Sequence, residues 1–259
     1  MVASKLAEGR CLGGKMISNS SHVALLMGLL TACGGFSGEA RVQTAPEQGS
    51  PHAHRAHHHR FDDAASWSKV FDDPARDAWQ RPADVVAAMR IAPGMTVADV
   101  GAGTGYFEPY LSRAVGASGK VIAVDLEPDM VRWIEERAKR EGLGNVQAVL
   151  GDPADSKLPP GSVDRVLVVD TWHHIDDRRA YAKKLAASLR PGGIVTIVDF
   201  TKDSPHGPPP KARLSPEEVT ADLAEAGLAA AVVDGGLPHQ FIVAGERMNR
   251  AGAADVHPP

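Results

Sequence analysis

After Pro93-Gly94 the chain alternates short runs of apolar β-formers with longer amphipathic stretches, and no other feature limits its possible folds as much. The runs VIAV, VLVV and IVTIV are apolar without alternation. A strand with one wet face would place a polar residue at every second position, so such runs belong to strands covered on both sides, as in parallel sheets. Seven segments read as strands: TVADVG, KVIAVDL, NVQAVLG, VDRVLVVDTW, GIVTIVDF, AAAVVD and HQFIVAG. The stretches between them read as helices. In PDMVRWIEERAKREG, Met130, Ile134 and Ala138 recur every four residues as a core face, and Glu135–Lys139 and Glu136–Arg140 can pair on the other. This order predicts an α/β fold, doubly wound, with a mainly parallel seven-stranded sheet and helices on both faces. Upstream, ASWSKVFDD and RDAWQRPADVVAAMRI read as helices, with Pro82 in the first turn of a further helical piece. They predict an N-terminal helical cap over 64–92, ahead of a sheet domain over 93–247 and a flexible tail over 248–259.

The first sixty residues differ in kind. They hold six Lys or Arg, three Glu and six of the eleven His, while the remainder holds 22 basic and 29 acidic side chains. VALLMGLLTA (23–32) is a ten-residue apolar run behind Lys5, Arg10 and Lys15, too short to span a bilayer but suited to a signal-peptide core. Leu30-Thr31-Ala32-Cys33 resembles a bacterial lipoprotein processing site, which implies cleavage before Cys33 and a membrane tether through that lipidated residue. Residues 1–33 are therefore expected to be a signal segment in a cell-envelope protein, and a cytoplasmic one if the apolar run is a chance patch. Residues 34–63, rich in Gly, Ser, Pro and His, read as a disordered linker. Its clustered histidines can ligate a transition metal, but a flexible tract offers no preformed geometry, and no metal is expected.

Cysteine and charge narrow the function classes. Both cysteines, Cys11 and Cys33, precede the body, so no disulfide staples it and no zinc-ligand spacing occurs. A net charge of −4 leaves no basic footprint for nucleic acid. In doubly wound sheets ligands bind beyond the carboxyl ends of the strands. Those ends carry Asp99-Val-Gly101, Asp125, Gly151-Asp152, Asp170-Thr-Trp-His173-His174 and Asp199. The first continues as Gly101, Gly103 and Gly105, where missing Cβ atoms let backbone approach a ligand closely. A dinucleotide loop needs its third glycine where Tyr106 stands, which speaks against a pyrophosphate.

Asp99-Val-Gly-Ala-Gly-Thr-Gly105 resembles the first motif of the class I S-adenosylmethionine-dependent methyltransferases, and the likeness extends from about Arg76 to Gly245. The resemblance implies a Rossmann-like fold with S-adenosyl-L-methionine as cofactor. Gly101, Ala102, Gly103 and Gly105 would line its amino-acid part, and Asp99 would order the loop and the ammonium. Asp125, twenty residues after Gly105, would accept both ribose hydroxyls, Asp152 would contact the adenine amino group, and Asp170 would face the methionine end. Each carboxylate also has a structural alternative: Asp125 as a helix cap before Pro128, Asp152 as a turn residue before Pro153, Asp170 as a strand terminus.

Methyl transfer from a sulfonium needs alignment and exclusion of water, and a protic acceptor can also need a base. His173 and His174 are the candidate catalytic residues, packing on Trp172 or capping the next helix being their structural alternatives. Trp67, Trp79 and Arg81 stand in the cap either as core or as a lid, and the loop Thr201–Ala212 borders the acceptor side. No motif names the acceptor, and a small molecule is expected. The competing reading is a membrane-tethered protein that binds S-adenosylmethionine or S-adenosylhomocysteine without turnover, since an exported enzyme would be separated from a donor made in the cytosol.

Overall fold

A computed structural model describes residue 61 and residues 63–248. The signal-like segment with Cys33, the histidine-rich tract and the tail beyond Met248 lie outside the described residues. The cap consists of α1 (Ala64–Phe71), a 3-10 turn at Pro74–Arg76, α2 (Asp77–Gln80) and α3 (Pro82–Ala88). Phe61 packs 4.8 Å from Trp67, and the Asp63 carboxylate accepts from Ser66 N–H as the α1 N-cap. The second expected helix is divided at Arg81, whose φ of +47 turns the chain before Pro82 restarts it.

The sheet domain follows as β1 (Thr96–Val100), α4 (Glu108–Val115), β2 (Lys120–Asp125), α5 (Pro128–Glu141), β3 (Val146–Leu150), β4 (Val163–Val169), α6 (Arg178–Ser188), β5 (Leu189–Phe200), α7 (Pro216–Glu225), β6 (Ala229–Val233) and β7 (Gln240–Glu246). Strand order is β3-β2-β1-β4-β5-β7-β6. β1 to β5 run parallel and β7 runs antiparallel to both β5 and β6. The first crossover leads outward from β1 through β2 to β3 and the second outward from β4, so the order reverses between β1 and β4. Ligand crevices open at such a reversal, and here it lies beside the glycine loop.

Alternate residues of the central strands feed two cores. Val97, Val121, Leu167 and Val198 pack with Val85 and Met89 at the cap's end and with Leu111 and Val115 of α4. Ala98, Val166, Val195 and Ile197 pack with Leu185 of α6 and Val219 and Leu223 of α7. Each such fully buried Val, Leu, Ile or Met side chain contributes about 1.5–3 kcal/mol relative to exposure. α5 lies on β2 and β3, with Met130 and Ile134 buried and Ala138 half-buried. Its ion pairs include Arg137–Glu141, Arg132–Asp129 and Arg140–Glu141, in place of the pairs expected from Glu135 and Glu136. Local chemistry sets the helix limits: Ser215 and Glu218 form a capping box on α7, Asp177 caps α6, and Gly142 ends α5 in the left-handed region.

Candidate active site

β1 ends in Asp99-Val100, both buried, and the glycine loop follows with φ of +79 at Gly101, +58 at Gly103 and +80 at Gly105. Gly101 is required twice over. Its φ suits glycine, and a Cβ there would lie 2.4 Å from Thr171 Oγ1 at the end of β4. Gly101 and Ala102 donate their N–H groups to Val124 O at 2.8 and 3.1 Å, which ties the loop to β2. Gly103 N–H donates to Asp125 Oδ2 at 2.8 Å, and Glu127 N–H to Oδ1 at 2.9 Å. Asp125 thus joins the loop to the entry of α5 with both oxygens. It is not the N-cap of α5, a position that Glu127 holds.

The cap closes over this loop. Phe71 lies 3.5 Å from where a Gly103 Cβ would be, Thr104 donates its hydroxyl to Asp72, and Arg137 bonds Asp72 at 2.8 Å and Thr104 O at 3.2 Å. Tyr106 donates to Asp77. Arg76 reaches deepest, its guanidinium 4.4 Å from the Tyr106 ring centroid and 5.7 Å from that of Trp79. From there Arg76 bonds Gln80 Oε1 at 2.9 Å and Asp170 Oδ2 at 3.3 Å. Gln80 donates to Gln240 Oε1 at 2.7 Å, and Gln240 donates to Asp170 Oδ1 at 2.6 Å. These four side chains close a ring joining the cap, β4 and β7. Asp170 itself sits at φ +52, a strained backbone held by its surroundings.

The mouth is rich in acid. Burial is the chief cause that raises Asp99 and Asp170 each to about 7, with the Asp125 charge adding to the first and Asp199 to the second, while Arg76 opposes both. Burial also pushes Asp125 up and Glu108, facing Asp99, well above the usual carboxylate range. Neither Glu108 oxygen has a hydrogen-bond partner. Clustered carboxylates that resist ionisation favour a cation beside them, since an opposite charge stabilises their charged forms.

Beyond β4, His173 Nδ1 lies 2.9 and 3.0 Å from the two oxygens of Asp199, with neither side chain appreciably exposed. His174 is exposed, its ring 4.2 Å from that of His173. Trp172 is buried and donates to Asp222 at 3.2 Å, so it serves the core under α6 and α7. Trp67 and Trp79 are half-buried, Trp67 stacked on Phe71 and Trp79 on His206. Arg81 turns outward to Asp84 and Gly236 O.

The structure therefore gathers Asp99, Gly101, Ala102, Gly103, Gly105, Asp125 and Asp170 around the point where strand order reverses, with His173 and His174 just beyond. Asp152 stands apart at the end of β3, exposed, its Oδ1 accepting from Ala154 N–H as a turn residue. Arg76, Gln80, Gln240 and Asp199 carry no site assignment in the sequence reading. Asp199 alone left a signal there, as a carboxylate closing a buried strand. Among the described residues no group of three or more His, Cys, Asp or Glu is arranged to hold a metal ion, and no helix is long and apolar enough to cross a membrane.

The donor set suits S-adenosylmethionine. The loop lacks the third glycine of a pyrophosphate site, Asp125 presents two acceptor oxygens at the end of β2, and the acidic mouth complements a ligand bearing ammonium and sulfonium charges. Residues 97–193 match the family described as a methyltransferase domain. Demethylmenaquinone methyltransferase of Geobacillus stearothermophilus is 28% identical over 129 residues, 50% of this chain and 54% of the relative. Nocamycin O-methyltransferase of Saccharothrix syringae is 36% identical over 105 residues, 40% of this chain and 38% of the relative. The chain thus spans about half the length, or less, of these curated relatives. The crystal structure of a SAM-dependent methyltransferase from Aquifex aeolicus superposes with a TM-score of 0.66 at 32% identity, covering 72% of this chain and 99% of that one. With that likeness across a whole solved chain, and the motif at the end of β1 in place, the protein belongs to the class I S-adenosylmethionine-dependent methyltransferases.

Proposed function

We propose that this protein transfers a methyl group from S-adenosylmethionine to a small-molecule acceptor. The observation that carries the reading is the loop Gly101–Gly105 bonded through Gly103 N–H to Asp125 at the point where strand order reverses. Gly101, Ala102, Gly103 and Gly105 would lie against the amino-acid part of the cofactor, with Asp99 beneath. Asp125 would exchange its bonds to Gly103 and Glu127 for the two ribose hydroxyls, Asp152 would stand at the adenine end and Asp170 at the methionine end. The cofactor supplies a methyl group already activated by the sulfonium charge. The protein's part is alignment, exclusion of water and, at His173 or His174, reception of a proton. Trp67, Phe71 and Trp79 shield that space from the cap side. Calorimetric titration of the full-length protein with S-adenosylmethionine, S-adenosylhomocysteine and NAD tests the cofactor. Micromolar binding of the first two and none of the third supports the reading, and no binding of either sulfur compound ends it.

The reading extends to the cell envelope through Leu30-Thr31-Ala32-Cys33, with Cys33 lipidated after cleavage. Labelled palmitate incorporated by the wild type and not by Cys33→Ser supports the tether, and no label in either removes it.

A further inference from the structure

The rings at the carboxyl ends of β4 and β5 form one wall drawn from five separate segments. Trp79 of α2 stacks on His206 at 4.4 Å and 16°, and lies 6.0 Å from Phe200 at the end of β5. Phe200 is 6.3 Å from His173, His206 is 5.4 Å from His239, and Phe61 is 6.1 Å from His174. His206, His239 and Trp79 are half-buried, while Phe200 and the His173 side chain are nearly covered, so the wall is sheltered and opens at Trp79, His206 and His239. The proline-rich loop bearing His206 is held in place by buried Arg213, which donates to the carbonyls of Thr201, Lys202, Ser204, His206 and Pro208.

One imidazole in this wall has its orientation fixed by a carboxylate. Asp199 is fully buried, accepts from Phe200 N–H at 2.8 Å, and takes the Nδ1 side of His173 at 2.9 Å. A carboxylate there holds the proton on Nδ1, leaves the lone pair on Nε2, and stabilises the imidazolium that forms when Nε2 gains a proton. An acceptor that brings no proton would need no such pair. An aliphatic hydroxyl gives up its proton far less readily than a phenol, so a phenol is the hydroxyl acceptor that an imidazole base can most readily serve. The ring wall offers faces to a planar acceptor.

Resting on the methyltransferase reading, we propose that the acceptor is a phenolic hydroxyl whose ring lies on the wall of Trp79, Phe200 and His206, with His173 as its general base and Asp199 as the residue that positions that base. The phenol oxygen forms the new bond to the methyl carbon while the methyl–sulfur bond breaks and leaves its electron pair on sulfur. The hydroxyl proton passes to His173 Nε2 and from the imidazolium to water. The products are an aryl methyl ether, S-adenosylhomocysteine and a proton, and no further reactant is consumed.

The test uses full-length protein saturated with S-adenosylhomocysteine and two probes, 4-nitrophenol and its methyl ether 4-nitroanisole, which share a ring and differ in the proton. The expected result is that 4-nitrophenol binds at least about tenfold more tightly, and that its bound form shows the phenolate absorption band at a pH where free probe is protonated. His173→Gln and Asp199→Asn are expected to keep S-adenosylhomocysteine binding while losing both the preference and the band. Equal binding of the probes to the wild type, binding of neither, or an unchanged preference in both variants would overturn the proposal. The two wild-type comparisons stand even if a variant fails to fold. A protein that binds neither S-adenosylmethionine nor S-adenosylhomocysteine overturns the methyltransferase reading itself, and this proposal with it.

Discussion

Gln80 and Gln240, 160 residues apart in the chain, share a 2.7 Å hydrogen bond with both side chains buried. The bond is one side of the ring that runs on through Asp170 and Arg76, and it fastens the helical cap to the sheet. Replacing Gln240 with Leu leaves Gln80 and Asp170 each short of a buried partner. The expected loss is about 1–3 kcal/mol of unfolding free energy, read by urea denaturation. Because Arg76 and Asp170 belong to the same ring, Gln240→Leu and Arg76→Ala should be non-additive, whereas Gln240→Leu and a substitution at distant Arg140 should add.

Gly101→Ala meets two obstacles, the left-handed φ and Thr171 at 2.4 Å. The φ alone costs about 1–2 kcal/mol, and the clash adds to it. Gly101→Ala combined with Thr171→Ala should recover part of the loss, since Oγ1 and Cγ2 are removed while the backbone strain and the contact with residue 171 Cβ at 2.9 Å stay. Thermal unfolding of the two variants separates the contributions. Recovery to the wild-type value would show that φ costs nothing here.

Asp125→Asn keeps the shape of the side chain and removes its charge. A hydrogen bond to a charged group is worth about 1.5–3 kcal/mol, so the Kd for S-adenosylmethionine should rise at least about tenfold. The fold should persist, because an amide oxygen still accepts from one of the Gly103 and Glu127 N–H groups. Calorimetry beside far-ultraviolet circular dichroism measures both, and an unchanged Kd would remove Asp125 from the cofactor site.

Stability should depend on pH through the Asp99–Glu108 pair. Burial raises both carboxyls, Asp99 to about 7 and Glu108 well above its usual range, so the folded protein binds more protons than the unfolded chain. The stability this confers is complete below about pH 4 and is lost as pH rises through about 7. Glu108→Gln, which needs no proton, should flatten that decline and gain on the order of 1–3 kcal/mol at pH 8. Denaturation at pH 5 and pH 8 decides it, and a wild type more stable at pH 8 than at pH 5 would contradict the assignment.

The sequence by itself determined whatever depends on near neighbours. Apolar runs without polar alternation marked the strands β2, β4 and β5, because burial on both faces removes the wet face that alternation would serve. The alternate glycines marked the loop after β1 because positive φ and close packing are demands on single residues. The carboxylates Asp99, Asp125 and Asp170 were legible as strand ends for the same local reason, and so was Asp199, though not its partner. Only the tertiary structure decided which of these ends meet. Strand order and register bring His173 to Asp199 across the β4–β5 pair, and the packing of the cap on the sheet brings Arg76 and Gln80 to Asp170 and Gln240. Such contacts depend on how distant segments dock. Arginine and glutamine in a helical stretch carry no periodicity or backbone demand that would announce it.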